Sequence, residues 1–411
     1  MKLPQIIRTP AETDMYKLSM GQAILHQFPS YEVEWTFRCR NKGVKFTPEM
    51  ITEIKEQIDA FCGTSFSENE LAYLSRIEWM KKDFIDWLRM WRPRREEIRV
   101  NEVDQQPAEC GLAIQARGTW LNTTFYEIAV LAIVNEVYFA FTYGPDAKFI
   151  ECQNLTFEKF KKFKKLENHD VYDIGAFSEF GLRRRYSGKF QDWLVEFLVT
   201  GKNTGKIPGF VGTSNVALAM EYGAKPVGTM AHEYTMCVGQ GNPKHNPAYS
   251  NWYMLESWIR EYGTMNGIAL TDTIGTATFL RDFRKTYARL FDGVRHDSGD
   301  PFEWGNAILR HYQSLGIDPK TKTLLFSDSL DFEKATRIYK EFKPHANVAF
   351  GIGTYLSNPL PDPLNIVMKV TRVNGSPVAK LSDTPGKGLC TDEGYVKWLT
   401  DCIERRERTN E

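Results

Sequence analysis

The sequence predicts an α/β protein built around a barrel-like series of strand–helix units, and three observations carry that prediction. From about Tyr143 to Gly353, short apolar runs end in Gly, Ser, Thr or Asp and lead into amphipathic helices, the rhythm of βα units. Before residue 145 the texture differs, being rich in aromatic and charged residues. After residue 360 two further alternating segments follow, which are expected to pack on the N-terminal part.

In chain order, Glu32 to Arg38 alternates like a strand, while Ile51 to Phe61 and Phe84 to Trp91 have helical spacing. Ile128 to Phe141 is the most apolar stretch, but Asn135 and Glu136 interrupt it, so it reads as a buried helix. The first clear unit is the strand Lys206 to Val211, which ends at Gly212-Thr213-Ser214-Asn215; a helix from Val216 to Tyr222 follows, closed by a left-handed cap at Gly223. Val227 to Ala231 then reads as a strand ending at His232, and Gly267 to Leu270 as one ending at Thr271-Asp272-Thr273 before a helix from Thr276 to Phe283. Leu290 to Val294 ends at Arg295-His296-Asp297. Asp300-Pro301 supplies an N-cap and a first-turn proline for a helix running to Leu315. Thr323 to Phe326 ends at Ser327-Asp328-Ser329 ahead of a helix from Phe332 to Phe342, and Asn347 to Phe350 ends at Gly351-Ile352-Gly353-Thr354. Five or six such units in a row favour a barrel over an open sheet. In the tail, Leu364 to Val370 and Ser376 to Leu381 read as strands, and the charged end from Cys402 to Glu411 as frayed.

Composition narrows the class of partner. The chain has 411 residues, 42% hydrophobic and 13% aromatic, enough for a large core and two domains. Lys+Arg and Asp+Glu balance at 52 each, so no basic field gathers nucleic acid and a small molecule is the favoured partner. Seven scattered cysteines lack paired zinc spacing and fit reduced thiols in a cytoplasmic protein, and no signal core or membrane segment is expected.

Strand ends of this kind converge on one rim, where such folds carry out chemistry. His232 between polar turns is a candidate phosphate acceptor, the alternative being a satisfied, partly buried side chain; the surrounding Gly, Ser, Thr and Asp suit phosphates and a magnesium ion. Asp300 reads more simply as a helix cap, and His26, His169, His245, His311 and His345 as structural or surface residues.

Five motifs in order resemble the nicotinate phosphoribosyltransferase family: Thr13 to Met20, Glu179 to Arg185, Gly212 to Asn215, Met230 to Glu233 and Arg295 to Asp300. The resemblance spans nearly the whole chain. It implies an irregular, incomplete α/β barrel over 145–359, beside a second α/β domain made from 1–144 and completed by 360–411. It implies synthesis of nicotinate mononucleotide from nicotinate and phosphoribosyl pyrophosphate, with ATP as co-substrate coupled through a phosphohistidine at His232. Asp272 and Asp297 would hold Mg2+ and its diphosphate, and Asp328, Gly351, Gly353 and Thr354 the ribose phosphate. The flat, anionic ring calls for an aromatic face and a cationic donor, which Phe180, Tyr16 and Arg183 or Arg184 supply, with Arg295 nearby. The resemblance further implies a homodimer in which Asp14 and Tyr16 enter the partner's site.

Relatives that use nicotinamide carry an acidic residue where this chain has Ser214-Asn215, and Leu182 stands where many relatives have threonine. A nicotinamide enzyme is therefore the nearest alternative. A quinolinate-type enzyme would need more cations for a diacid and would use neither the histidine nor ATP, and a silent binding protein is disfavoured because every site position the resemblance implies is filled.

Overall fold

The computed structural model describes residues 1–101, 110–167, 174–384, 388, 390 and 392–409; His169 lies outside them. Among these residues the strands form two sheets. Glu32–Cys39 (β1), Ile98–Val100 (β2) and Ile114–Thr119 (β3) begin the first, β1 pairing antiparallel with β3 and β3 with β2. Seven parallel strands form the second: Ala176–Glu179 (β4), Phe210–Thr213 (β5), Lys225–Pro226 (β6), Ile268–Leu270 (β7), Gly293–His296 (β8), Thr323–Phe326 (β9) and Asn347–Ile352 (β10). Their order is β6-β5-β4-β10-β9-β8-β7, an incomplete barrel. The tail then returns to the first sheet, where Ile366–Val373 (β11) pairs antiparallel with β1 and carries Ser376–Pro377 (β12) on its other edge.

The helices follow the sequence signals closely. Asp300 accepts from the Phe302 and Glu303 amides ahead of Pro301–Ser314, and Gly223 takes the left-handed conformation (φ 62°) behind Val216–Tyr222. The apolar helix Tyr126–Tyr143 is core: its first fourteen residues are buried except Tyr138 and Glu136, whose carboxylate pairs with Arg185. A span from Trp120 to Tyr143 is long and apolar enough to cross a membrane, but most of it is packed inside the molecule.

Three expectations are corrected. Val227 to Ala231 is not a strand: pairing stops at Pro226, and side chains hold the segment instead. Thr229 donates to the Ile268 carbonyl at 2.9 Å, the Ala231 amide points at Met20 Sδ, and His232 opens the helix His232–Gln240. Ser376 to Leu381 is a strand only over its first two residues, because Leu381 then donates its amide to Thr273 and crosses to the end of β7. The C-terminal segment is not frayed over the described residues, which form the helix Glu393–Thr409. Leu399 and Ile403 pack with Ala248 and Ile274, and the buried Arg406 binds Asp282 and the Ala248 carbonyl beneath the Tyr249 ring. A sequence rich in charge reads as solvated, but here one arginine finds a buried carboxylate.

Removing one member of a buried pair leaves the other charged and unsolvated, at a cost of about 3 to 5 kcal/mol. Arg406→Met is expected to lower the melting temperature by several degrees and expose Glu393–Thr409 to protease. Adding Asp282→Leu to it should recover most of the loss, as denaturation of the three proteins would show.

Candidate active site

The carboxyl ends of the parallel strands and the near edge of the antiparallel sheet enclose a cleft of about 580 Å³. Five of the strands end in a residue that turns into it: Phe180 after β4, Ser214 after β5, Asp297 after β8, Ser327 after β9 and Gly353 after β10.

The aromatic wall has Phe180 lying on β10, its amide donating to the Ile352 carbonyl at 2.9 Å. A Cβ at Gly351 would lie 2.3 Å from the Phe180 ring, so only glycine allows this seat. Tyr16 lines the same cleft, with its hydroxyl buried and without a partner among the described residues. Asp14 pairs across a bridge with Asn215, and the Met15 amide donates to the Ser214 carbonyl at 2.8 Å. Asp14 and Tyr16 therefore line the cleft of their own chain, because the segment before helix Met15–Gln27 is pinned to the end of β5.

Ser214 donates its hydroxyl to Asp14 at 2.6 Å, and burial raises the Asp14 carboxyl above its ordinary value. The Ser214 turn thus has a carboxylate beside it, supplied from a distant part of the chain. Asn215 does not reach the cleft: fully buried, it caps the helix Val216–Tyr222 and donates to Gln191.

The three consecutive arginines separate. Arg183 and Arg184 line the cleft, whereas Arg185 is buried between Glu12 and Glu136. Arg184 binds the Ile366 carbonyl and Asn365, and burial together with Arg183 and Arg40 pushes it down to about 9. Leu182, where a hydroxyl stands in many relatives, is a core residue. Arg295 also lines the cleft, its Nε buried without a protein partner among the described residues.

His232 is nearly buried at the first position of its helix. Its Nε2 lies 2.8 Å from Asp272 Oδ1 and 3.6 Å from Asp297 Oδ2. Burial and the nearby Lys380 hold its basicity below normal despite the two carboxylates, so the ring is neutral at pH 7. With Nε2–H donating to Asp272, the lone pair is on Nδ1.

Both Asp272 oxygens are occupied, Oδ1 by His232 and Oδ2 by Ser298 (2.5 Å) and Lys380 (2.9 Å). Burial acts to raise its pKa, but the His232 ring and Lys380 hold it well below the carboxylate range. Asp297 is different: Oδ1 accepts from Ser327 and the side chain is 30% exposed to the cleft. Asp328, Gly353 and Thr354 line the opposite rim with Gly351. His296 turns away, buried against Trp304 with Nε2 3.2 Å from the Gly299 carbonyl.

Sequence reasoning missed Lys369, Lys380 and Arg40, all lining residues. Lys369 carries a faint signal, as a cation between Met368 and Val370 in an alternating strand; Lys380 carries none, since only the crossing to Thr273 brings it here.

Family models match both parts of the chain: the nicotinate phosphoribosyltransferase family over residues 176–405 and its N-terminal domain over 12–135. The chain belongs to this family. A nicotinate phosphoribosyltransferase of Xylella fastidiosa is 44% identical over 96% of this chain and 97% of its own. One from Acidovorax is 42% identical over 97% and 98%. Family members also match in structure: crystal structures of nicotinate phosphoribosyltransferases from Vibrio cholerae (33% identity, TM-score 0.88, 98% of this chain and 95% of that one) and Porphyromonas gingivalis (31%, 0.87, 97% and 100%) share the whole architecture.

Behind Phe180, the fully buried Glu179 accepts from the Gly181 amide (2.6 Å), Thr213 (2.7 Å) and Gln191 (3.1 Å), joining β4 to β5. Burial outweighs these donors and pushes its carboxyl up to about 7. The folded state then binds the proton more tightly than the unfolded one, so this stabilisation is complete below about pH 4.5 and is lost as pH rises through about 7. At about 1.4 kcal/mol per unit the difference is roughly 3 kcal/mol. The stability gap between the native protein and Glu179→Gln should shrink by that order between pH 5 and 8 in denaturant titrations. A constant gap would mean that Glu179 does not titrate there.

Proposed function

We propose that this chain transfers the phosphoribosyl group of phosphoribosyl pyrophosphate to the ring nitrogen of nicotinate, releasing pyrophosphate, and couples ATP cleavage to that transfer through a phosphorylated His232. The observation that carries the reading is the pairing of His232 Nε2 with Asp272, beside the cleft-facing Asp297 and within a wall of cations. A neutral imidazole whose Nε2 proton is held by a carboxylate presents Nδ1 as nucleophile, and the carboxylate stabilises the cation that forms on phosphorylation.

The flat substrate suits the wall made by Phe180 and Tyr16, and its carboxylate suits Arg183 and Arg295. Transfer passes through an oxocarbenium-like state, so the chain must hold the leaving diphosphate in line and balance its charge. Lys380 and Arg40 add positive charge there. Magnesium prefers oxygen donors, and Asp297 has an oxygen facing the cleft. Asp272 fits less well than its strand-end position suggests, since both oxygens are engaged and an ammonium group lies 2.9 Å from one of them. Asp297, with phosphate oxygens, would hold the ion, which would neutralise the leaving group; Asp272 orients the histidine.

Nicotinamide is the second reading, favoured by one observation. Asp14 supplies a carboxylate beside Ser214 that could accept from an amide. Discrimination then rests on the arginines, and losing a charge-assisted contact costs about 1.5 to 3 kcal/mol. Purified protein with magnesium, phosphoribosyl pyrophosphate and each pyridine should show at least tenfold higher kcat/KM for nicotinate than for nicotinamide. Equal values would sink the selectivity argument.

The phosphohistidine has its own test. ATP labelled in its terminal phosphate should give an acid-labile, base-stable label on the protein, discharged faster when both other substrates are added. His232→Asn should abolish the label and the stimulation by ATP while leaving slow ATP-independent synthesis. Label on another residue would return His232 to a structural role.

A further inference from the structure

Below the cleft floor, one carboxylate faces three cations. Glu127 lies in the first turn of helix Tyr126–Tyr143 with a side chain only 1% exposed. Its Oε2 is 2.8 Å from Lys17 Nζ, and its Oε1 is 3.2 Å from Lys369 Nζ and 3.7 Å from Arg183 Nη1. Lys369 and Arg183 line the cleft; Lys17 does not. We infer that Glu127 is a positioning residue that holds Lys369 and Arg183 as a paired anion-binding element on the cleft wall, with Lys17 as its anchor.

The geometry explains why the carboxylate cannot swing away. Lys17 is fully buried and is shared with Glu233, which accepts in turn from Trp120 Nε1 (3.0 Å) and Thr124 (2.7 Å). Oε2 is therefore fixed from below, and Oε1 is aimed at the two cleft cations. Four separate segments meet here: helix Met15–Gln27, helix Tyr126–Tyr143, the turn Leu182–Arg184 and β11. Glu127 is the carboxylate that pairs with both Lys369 and Arg183 among the described residues, whose like charges otherwise repel.

Lys369 also depends on Glu127 for its charge. Burial, Arg183 and Lys17 all press it toward the neutral form, and Glu127 is the neighbour that opposes them. Replacing Glu127 by glutamine keeps the shape but leaves Lys369 between two cations. It should then shed its proton at lower pH, and its hold on an anion should fade as pH rises.

This inference rests on the reading of the cleft as an anion site, and a binding measurement separates the two. Calorimetric titration of the full chain with inorganic pyrophosphate, and separately with nicotinate, identifies which anion the pair holds. In Glu127→Gln, affinity for that anion should fall at least fivefold at pH 7.5 and decline further toward pH 9, whereas the native protein changes little. Lys369→Met should weaken binding without the added slope, and the double variant should lose less than the sum of the two single losses and keep no added slope, because only the hold on Arg183 is left for the second change to remove. Glu127→Asp keeps the charge but withdraws it by a methylene, so it should weaken binding while keeping the native pH profile; it serves as the test if the glutamine variant does not fold. Additive losses in the double variant, or pH-independent binding in Glu127→Gln, would overturn the inference. If the native protein binds neither anion, the reading of the cleft itself fails.

Discussion

The antiparallel pairing of β1 with β11 is the constraint on which the rest of the molecule depends. It joins residues more than three hundred positions apart, with Phe37 opposite Met368 and Thr36 opposite Lys369. Through it the two chain ends become one sheet, whose Val367 and Lys369 reach the cleft at the carboxyl ends of the parallel strands. The strand sets Lys369 against Glu127, and the segment beyond it delivers Lys380 to Asp272. The barrel's strand ends present Arg183, Arg184 and Arg295 as well as acidic and polar groups, and the added sheet and its tail contribute Arg40, Lys369 and Lys380.

This division of labour has an electrostatic consequence. Asp272 and Asp297 come from the barrel, Arg40, Lys369 and Lys380 from the added sheet and its tail, and Lys380 meets Asp272 directly at 2.9 Å. Buried charges survive only when paired and hydrogen-bonded. The chain meets that demand with linked carboxylates: Glu127 and Glu233 around Lys17, Glu12 and Glu136 around Arg185, and Asp272 between His232 and Lys380. Each network also fixes an element that lines the site. Structural and functional roles are therefore hard to separate in these residues, and the variants that test them must read out binding or pH dependence as well as stability.

The N-terminal segment is fixed at the cleft rim in the same way, by a few specific bonds. Asp14 and Met15 bond to Ser214 and Asn215 at the end of β5, which places Tyr16 over its own cleft.

Periodicity and capping chemistry alone determined the strand–helix rhythm, the helices from Pro301 and Phe332, the buried helix after Tyr126 and the gathering of polar turns at one rim. These are local signals: alternating burial, a capping aspartate before proline, a glycine at a helix end. Motif order alone was enough to expect the family, and with it His232, Phe180, Arg183, Arg295 and Asp297. Only the tertiary structure decided that His232 opens a helix, that Asp272 is fully engaged behind it, that Arg185 is core while Arg183 and Arg184 are not, and that Arg406 is buried. It alone revealed Glu127, Lys369 and Lys380. The physical reason is that a charged side chain's role depends on its partners, and here those partners lie 40 to 250 residues away, as His232 and Asp272 or Lys369 and Glu127 do.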